Sequence, residues 1–421
     1  MGEGGGLLLA GGGAIAMAGA VLGRVAPTVA LVALLFLVPL RVDVLPSVYP
    51  ATLFLCGAAL ARSPEILRVL AEERALLLAT IGLPSWILAS MLWARQPLFA
   101  FGLVGKWLVV VVAAWFAAAD RAASPRALVL GAFAAAVPHA AWGCAERLHW
   151  IAPIGDPTAL HLRGISWLGT VRGRALFWHP NRLGEFLEQM GILLAGAGLG
   201  GVLPWVCLAG VLAAGAGIWG TGSMGSAAAL GGGVLLAAGW LAVGRQGLAG
   251  MAAGRARWIT AGAVVAAGVA AVLAFEAHGG IGSRRWVYAF AVERIRERPW
   301  LGFGGGNWSL LVGEAPLELS RFWFRGHAHS LPLHVWVELG GVGVLLLVAL
   351  FAVPLWSGVR RLADVPAEWH GVGVGAMLAV AALFAHDFVH YFLRDAVDGI
   401  VTGVLLGTVV AVARRARPET R

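Results

Sequence analysis

Segments of about 20 apolar residues, separated by short arginine-bearing breaks, recur from one end of this 421-residue chain to the other. A run of that length is what a helix needs to cross a hydrocarbon core. Backbone polar groups in lipid leave only helices or closed barrels as solutions. Charged residues make up 13% of the chain, against roughly 25% in a soluble domain. The expectation is therefore an all-α, polytopic integral membrane protein forming a single membrane domain over residues 1–421. Candidate spans are 7–22, 26–40, 47–61, 75–93, 98–119, 127–148, 182–200, 202–220, 224–243, 258–276, 330–357, 371–392 and 396–413. The first three are short or interrupted by Arg24, Arg41 and Pro46, so the expected count is about 12 or 13. The opening MGEGGG lacks the basic flank of a secretory signal, and no cleavage is expected there.

Orientation follows from arginines in short loops. Arg62, Arg68 and Arg74, then Arg121 and Arg126, Arg245, Arg255 and Arg257, Arg360 and Arg361, and finally Arg414, Arg415 and Arg417 fall on one face when the spans are counted. That face is assigned to the cytoplasm. The two long loops, 149–181 and 277–328, then lie outside, periplasmic in a bacterial inner membrane. The second carries seven arginines against four glutamates, a net charge of +3 where positive charge is normally sparse. Binding of a phosphate-bearing ligand would account for that excess, because the guanidinium fork matches phosphate oxygens.

The whole chain has a formal charge of +9, and Lys106 is its one lysine. For the total, arginine bias in a GC-rich genome is the preferred explanation over an anionic substrate; for particular loops it is not. The charge is dispersed over short loops, which argues against nucleic acid. Cys56, Cys144 and Cys207 all lie in apolar segments with no disulfide or metal spacing, and read as core residues. Lys106 is the chief charge expected inside the spans.

Three stretches carry candidate chemistry. Arg321–Gly343, RFWFRGHAHSLPLHVWVELGGVG, passes from an aromatic, basic loop into a long hydrophobic segment, with His327 and His329 at the join. A helix starting near a capping Ser330 would set His329 at a positive helix end. Gly340 and Gly343 would return to its face and leave it smooth for a helix or lipid chain. Interfacial residues and packing glycines explain the same pattern without function. Residues 171–187, VRGRALFWHPNRLGEFL, read as a helix start at His179-Pro180-Asn181 with asparagine as cap. Arg172 and Arg174 precede it, and Glu185 and Glu188 read as ordinary capping charge. Between these, Val287–Glu297 has the pattern of a short amphipathic helix that runs through Pro299 into GFGGGN, residues 302–307. Without a following lysine-serine pair this is no nucleotide P-loop, and by itself it reads as a flexible turn.

Taken in order, these blocks resemble the bacterial O-antigen ligase and O-antigen polymerase superfamily of membrane glycosyltransferases. Arg172, Phe177, His179, Pro180, Asn181 and Gly184 form a block similar to its R-x-x-G-x-F-x-x-P-N-x-x-G pattern, with Ala175 where glycine is usual. Arg284 followed by Pro299, Gly302, Gly304, Gly306 and Asn307 resembles its arginine, helix and glycine turn. His329-Ser330 with Gly340-x-x-Gly343 resembles the H-[NSQ]-x9-G-x-x-G pattern of the ligase branch. One departure is Ser223-Met224-Gly225, where the family often has serine-arginine-glycine.

The resemblance implies a GT-C-like helical bundle that transfers a glycan from an undecaprenyl-diphosphate carrier to a sugar hydroxyl, such as that of lipid A-core, without metal or other cofactor. On that reading His329 is the base or acceptor-orienting group, and Arg172 and Arg284 clamp the diphosphate. Arg174, His179, Asn181, Arg285, Arg321, Arg325 and His327 assist in binding. A repeat-unit polymerase shares the donor chemistry and differs in acceptor. A lipid-oligosaccharide flippase is a third reading, and it would call for charged residues inside the spans. A metal site at His327, His329 and His334, or at His386, Asp387 and His390, is a further alternative from spacing alone.

Overall fold

The computed structural model describes residues 3–37, 50–120, 123–152, 172–177, 179–245, 284–314, 326–391 and 396–416. All regular structure among them is helical. In chain order the helices are α1 (Glu3–Val25), α2 (Pro27–Leu37), α3 (Pro50–Ala61), α4 (Ser63–Glu72), α5 (Arg74–Ala89), α6 (Phe99–Ala119) and α7 (Pro125–Arg147). There follow α8 (Pro180–Leu199), α9 (Pro204–Thr221), α10 (Met224–Arg245), α11 (Arg285–Glu297), α12 (Trp308–Gly313), α13 (Leu331–Arg361), α14 (Ala367–His386) and α15 (Ala396–Arg414). Seven described helices are long and apolar enough to cross a membrane, so the chain is a multi-pass membrane protein, helical throughout its described regular structure. The expected span at 258–276, and large parts of both long loops, lie outside the described residues.

Short-loop arginines gather as expected at one end. Arg62 donates to the Ala119 carbonyl at 3.1 Å, Arg414 pairs with Glu72 at 2.5 Å, Arg361 with Glu73 at 3.3 Å, and Arg415 reaches the Asp120 carbonyl at 3.3 Å. Each positive side chain thereby satisfies a carboxylate or the free carbonyls at a helix end.

The helix at the centre of the candidate site is α8. It packs against α7, α9, α10 and α14, and it is buried along nearly its whole length. Arg182, Glu185 and Glu188 occupy its first turns. This placement overturns the reading of Glu185 and Glu188 as interfacial capping charge: they are 1% and 0% exposed. Lys106 is correspondingly not the chief charge inside the bundle.

The long helix α13 also departs from expectation. Its cap residue Ser330 is extended, and its side chain makes no capping bond. Instead the Leu331 N–H donates to the Asp387 carbonyl at 2.8 Å, which ties the start of α13 to the end of α14. Gly340 is not part of a smooth face. It takes φ +69° and breaks the helix, which frees the carbonyls of residues 337 to 339. The loop of residues 299–307 answers the first two positions, and Trp86 of α5 answers the third. Phe303 N–H donates to Val337 at 3.0 Å, Gly304 N–H to Glu338 at 2.8 Å, and the Trp86 indole to Leu339 at 2.9 Å. Gly302, Gly304 and Gly306 all have positive φ, where a side chain is strained, and each lies against neighbouring backbone. The glycine run is thus a fitted strap across the break rather than a flexible turn.

Candidate functional site

Block one begins at Arg172. Its Nε donates to the Thr221 carbonyl at 2.5 Å, and its Nη2 donates to Asn181 Oδ1. The helix cap is His179 rather than Asn181: His179 Nδ1 accepts the Asn181 N–H at 3.1 Å. This leaves the Asn181 side chain to hold Arg172. Burial, with added repulsion from Arg147, pushes the Arg172 guanidinium down to about 10. Burial first, then the positive charges around it, pushes His179 down to about 3, so its ring is a neutral acceptor at ordinary pH. The turn before the helix hangs on Glu146 at the end of α7, a residue with no motif. Its Oε2 accepts the N–H groups of Arg174 at 2.5 Å and Ala175 at 2.9 Å. Ala175 has φ +48°, a conformation that glycine takes without strain.

Block two places Arg284 immediately before α11. Its Nη1 donates to the Val389 carbonyl, and its side chain also bonds Tyr288. Burial lowers its pKa and raises that of Tyr288. The Tyr288 hydroxyl in turn donates to the His329 carbonyl at 3.3 Å. Arg285 points elsewhere: it is exposed, with its guanidinium over the Trp286 ring at 4.9 Å.

Block three repeats the local device of block one. His327 Nδ1 accepts the His329 N–H at 3.0 Å, as His179 does for Asn181. His329 takes φ +53°, a strained backbone for a residue with a side chain. It is half-buried, with its ring 4.1 Å from that of His327. His327 is buried against Tyr391 at 5.5 Å and His390 at 6.4 Å, between ring centres. Arg321 and Arg325 lie outside the described residues.

The turn of residues 389–391 after α14 joins the blocks. Val389 receives Arg284, His390 and Tyr391 flank His327, and Arg182, one residue after Asn181, donates to the Tyr391 carbonyl at 3.3 Å. Around that turn lies the buried charge that sequence reasoning missed. Arg182 pairs with Asp398 and lies 3.5 Å from Glu185. His390 Nδ1 is 2.8 Å from Glu185 Oε1, and His386 Nδ1 is 3.0 Å from Glu188 Oε2. Glycine is required at Gly225, for a Cβ there would run into the His386 ring. Met224, in the departing triplet, is half exposed.

A cavity of about 440 Å³ opens beside this cluster, lined by Phe99, Lys106, Trp308, His334, Glu338 and Tyr391 among others. It touches the histidine group through His334 and Tyr391, whose rings are 4.5 Å apart. Arg172, Arg284 and His329 are not part of its lining. No three His, Cys, Asp or Glu side chains among the described residues converge as a metal would need. His386 and His390 face carboxylates of α8 instead.

No protein-family model matches the sequence, and comparison with curated proteins returns no match.

Proposed function

We propose that this protein is a membrane glycosyltransferase of a GT-C-like helical architecture, acting on the periplasmic face of the bacterial inner membrane. It would move a glycan from an undecaprenyl-diphosphate carrier to a sugar hydroxyl, with lipid A-core as the first acceptor to test. The observation that carries this reading is the turn of residues 389–391: Val389 accepts from Arg284, His390 lies beside His327, the neighbour of His329, and Tyr391 accepts from Arg182, which follows the Asn181 that holds Arg172. Departure of a lipid diphosphate develops negative charge, which two guanidiniums held in low-dielectric surroundings stabilise. A hydroxyl acceptor is a poor nucleophile, and a half-exposed histidine is the group suited to take its proton.

A second reading has an observation in its favour. Arg182, Glu185, Glu188 and Asp398 are charges inside the bundle, which a flippase of anionic lipid-linked oligosaccharide would also use. The test is purified protein with undecaprenyl-diphosphate oligosaccharide, offered lipid A-core or a second lipid-linked repeat. Transfer to lipid A-core supports the ligase, and laddering on the second repeat supports the polymerase. Absence of both products, with the intact donor crossing proteoliposomes, would replace the enzyme by the flippase.

A further inference from the structure

The core of the bundle holds more acid than base. Glu185, Glu188, Asp387 and Asp398 are each no more than 2% exposed, and Arg182 is the one buried arginine among them. Fully ionised, four carboxylates against one guanidinium would leave a charge of −3 in a low-dielectric interior, a state that proteins avoid by retaining protons. The proton-accepting partners are in place: Glu188 is hydrogen-bonded to His386 Nδ1 at 3.0 Å, and Glu185 Oε1 lies at ion-pair distance, 2.8 Å, from His390 Nδ1. The two imidazoles are 5.9 Å apart between ring centres. From His390 the next ring is His327 at 6.4 Å, and from His327 it is His329 at 4.1 Å. His327 uses Nδ1 to accept a backbone N–H, so Nε2 is the nitrogen that carries its proton when the ring is neutral. Beyond His386, Glu188 bonds the Ser226 hydroxyl, which accepts from Ser223 at 3.0 Å.

We propose that the Glu185–His390 and Glu188–His386 pairs are a proton store linked through His327 to His329, and that they take up the acceptor's hydroxyl proton during transfer. The inference rests on the glycosyltransferase reading and adds two functional pairs to it. In the step, the acceptor oxygen bonds to the anomeric carbon of the donor glycan as the bond from that carbon to the diphosphate oxygen breaks. The electron pair leaves with the diphosphate. The hydroxyl proton passes to His329, then by His327 to His390 and the buried carboxylates, with a water bridging the longer gaps. It returns by the same route once the product departs. Arg182, His179 and Asp398 surround the pairs and set the charge against which a proton is held.

The decisive variant is Glu188→Gln with His386→Gln, which preserves a hydrogen bond between α8 and α14 but carries no exchangeable charge; Glu188→Asp is its milder companion. Transfer to the acceptor that wild type uses is measured against pH, in H₂O and D₂O. Alongside, ¹⁵N spectra of the imidazoles are recorded across pH without substrate. The proposal expects turnover to fall by about tenfold or more, the solvent isotope effect to rise, the His327 and His329 titrations to move, and Glu188→Asp to recover part of the rate. A folded double variant with wild-type rate, pH profile and isotope effect would make the pairs structural pins and overturn the store. Should the double variant fail to fold, Glu188→Asp with an unaltered profile and isotope effect overturns it equally. Wild type without transfer, but with imidazole titrations that respond to Glu188, rejects the glycosyltransferase step and keeps the coupled protons. Neither transfer nor coupling rejects both.

Discussion

Glu338 Oε1 accepts the Trp308 N–H at 2.8 Å while its Oε2 accepts the Gly306 N–H at 3.0 Å, so one buried carboxylate fastens the glycine strap to the helix that the strap repairs. His334, one turn above, lies 3.5 Å from the same oxygen. Removing the carboxylate leaves two buried donors without an acceptor. Glu338→Ala should therefore lose about 3 kcal/mol or more of stability, and Glu338→Gln, which keeps one acceptor oxygen, should lose less. Thermal unfolding in a fixed detergent reads both. Equal loss in the two variants would assign the effect to packing instead.

At Ala175 the expectation runs the other way. A residue with φ +48° carries left-handed strain of roughly 1–2 kcal/mol that glycine does not. The Ala175→Gly change also gives the unfolded chain more freedom, so the net gain is expected near 1 kcal/mol. Gly304→Ala should do the reverse, adding strain at φ +95° and a clash with Ala94 backbone. A destabilised Ala175→Gly would mean that the methyl's packing outweighs the dihedral.

Acid should weaken the fold through His179. Its folded pKa, about 3, lies below its ordinary 6.5 because burial and nearby positive charge disfavour the imidazolium. Between those values the unfolded chain binds a proton that the folded chain does not, so stability rises with pH across the window and falls as pH drops from 6.5 toward 3. His179→Gln keeps an acceptor for the Asn181 N–H and should flatten that limb in an unfolding series. An unchanged acid limb would transfer its cause to another group.

The fold was legible because lipid imposes one requirement, length of apolar run, and span boundaries such as 98–119 and 224–243 fall within a few residues of α6 and α10. The arginine ends were legible for the same reason. The Gly302, Gly304 and Gly306 run reads locally as a flexible turn, and nothing local says that it closes a break at Gly340. The buried pairs were hidden more deeply. Glu188 and His386 are 198 positions apart, and an amphiphile at a helix start looks the same whether its partner is water or a histidine. Residues 389–391 join the candidate blocks through backbone carbonyls and ring contacts, which leave no motif. Glu146 was missed for that reason too: it acts on N–H groups, and any sequence supplies those.

The last expectation separates the roles of His329 and Arg284. If His329 takes the acceptor proton, His329→Ala should lower turnover by roughly 10²-fold or more, the usual contribution of a general base, while donor binding survives. Arg284 is held by the Val389 carbonyl and Tyr288, with its charge half-buried beside the His329 backbone. Arg284→Ala should therefore weaken donor binding and turnover together. Arg284→Lys should recover only part of each, because an ammonium lacks the two-pronged geometry that grips a diphosphate and holds the carbonyl at once. Tyr288→Phe keeps the Arg284 charge but removes one of its holds and releases the His329 carbonyl, so turnover should fall while donor affinity falls less than in Arg284→Ala. Donor binding is measured with undecaprenyl-diphosphate oligosaccharide alone, and turnover with the acceptor added. A His329→Ala variant that loses donor binding but not the chemical step would reverse the assignment and make His329 part of the diphosphate site.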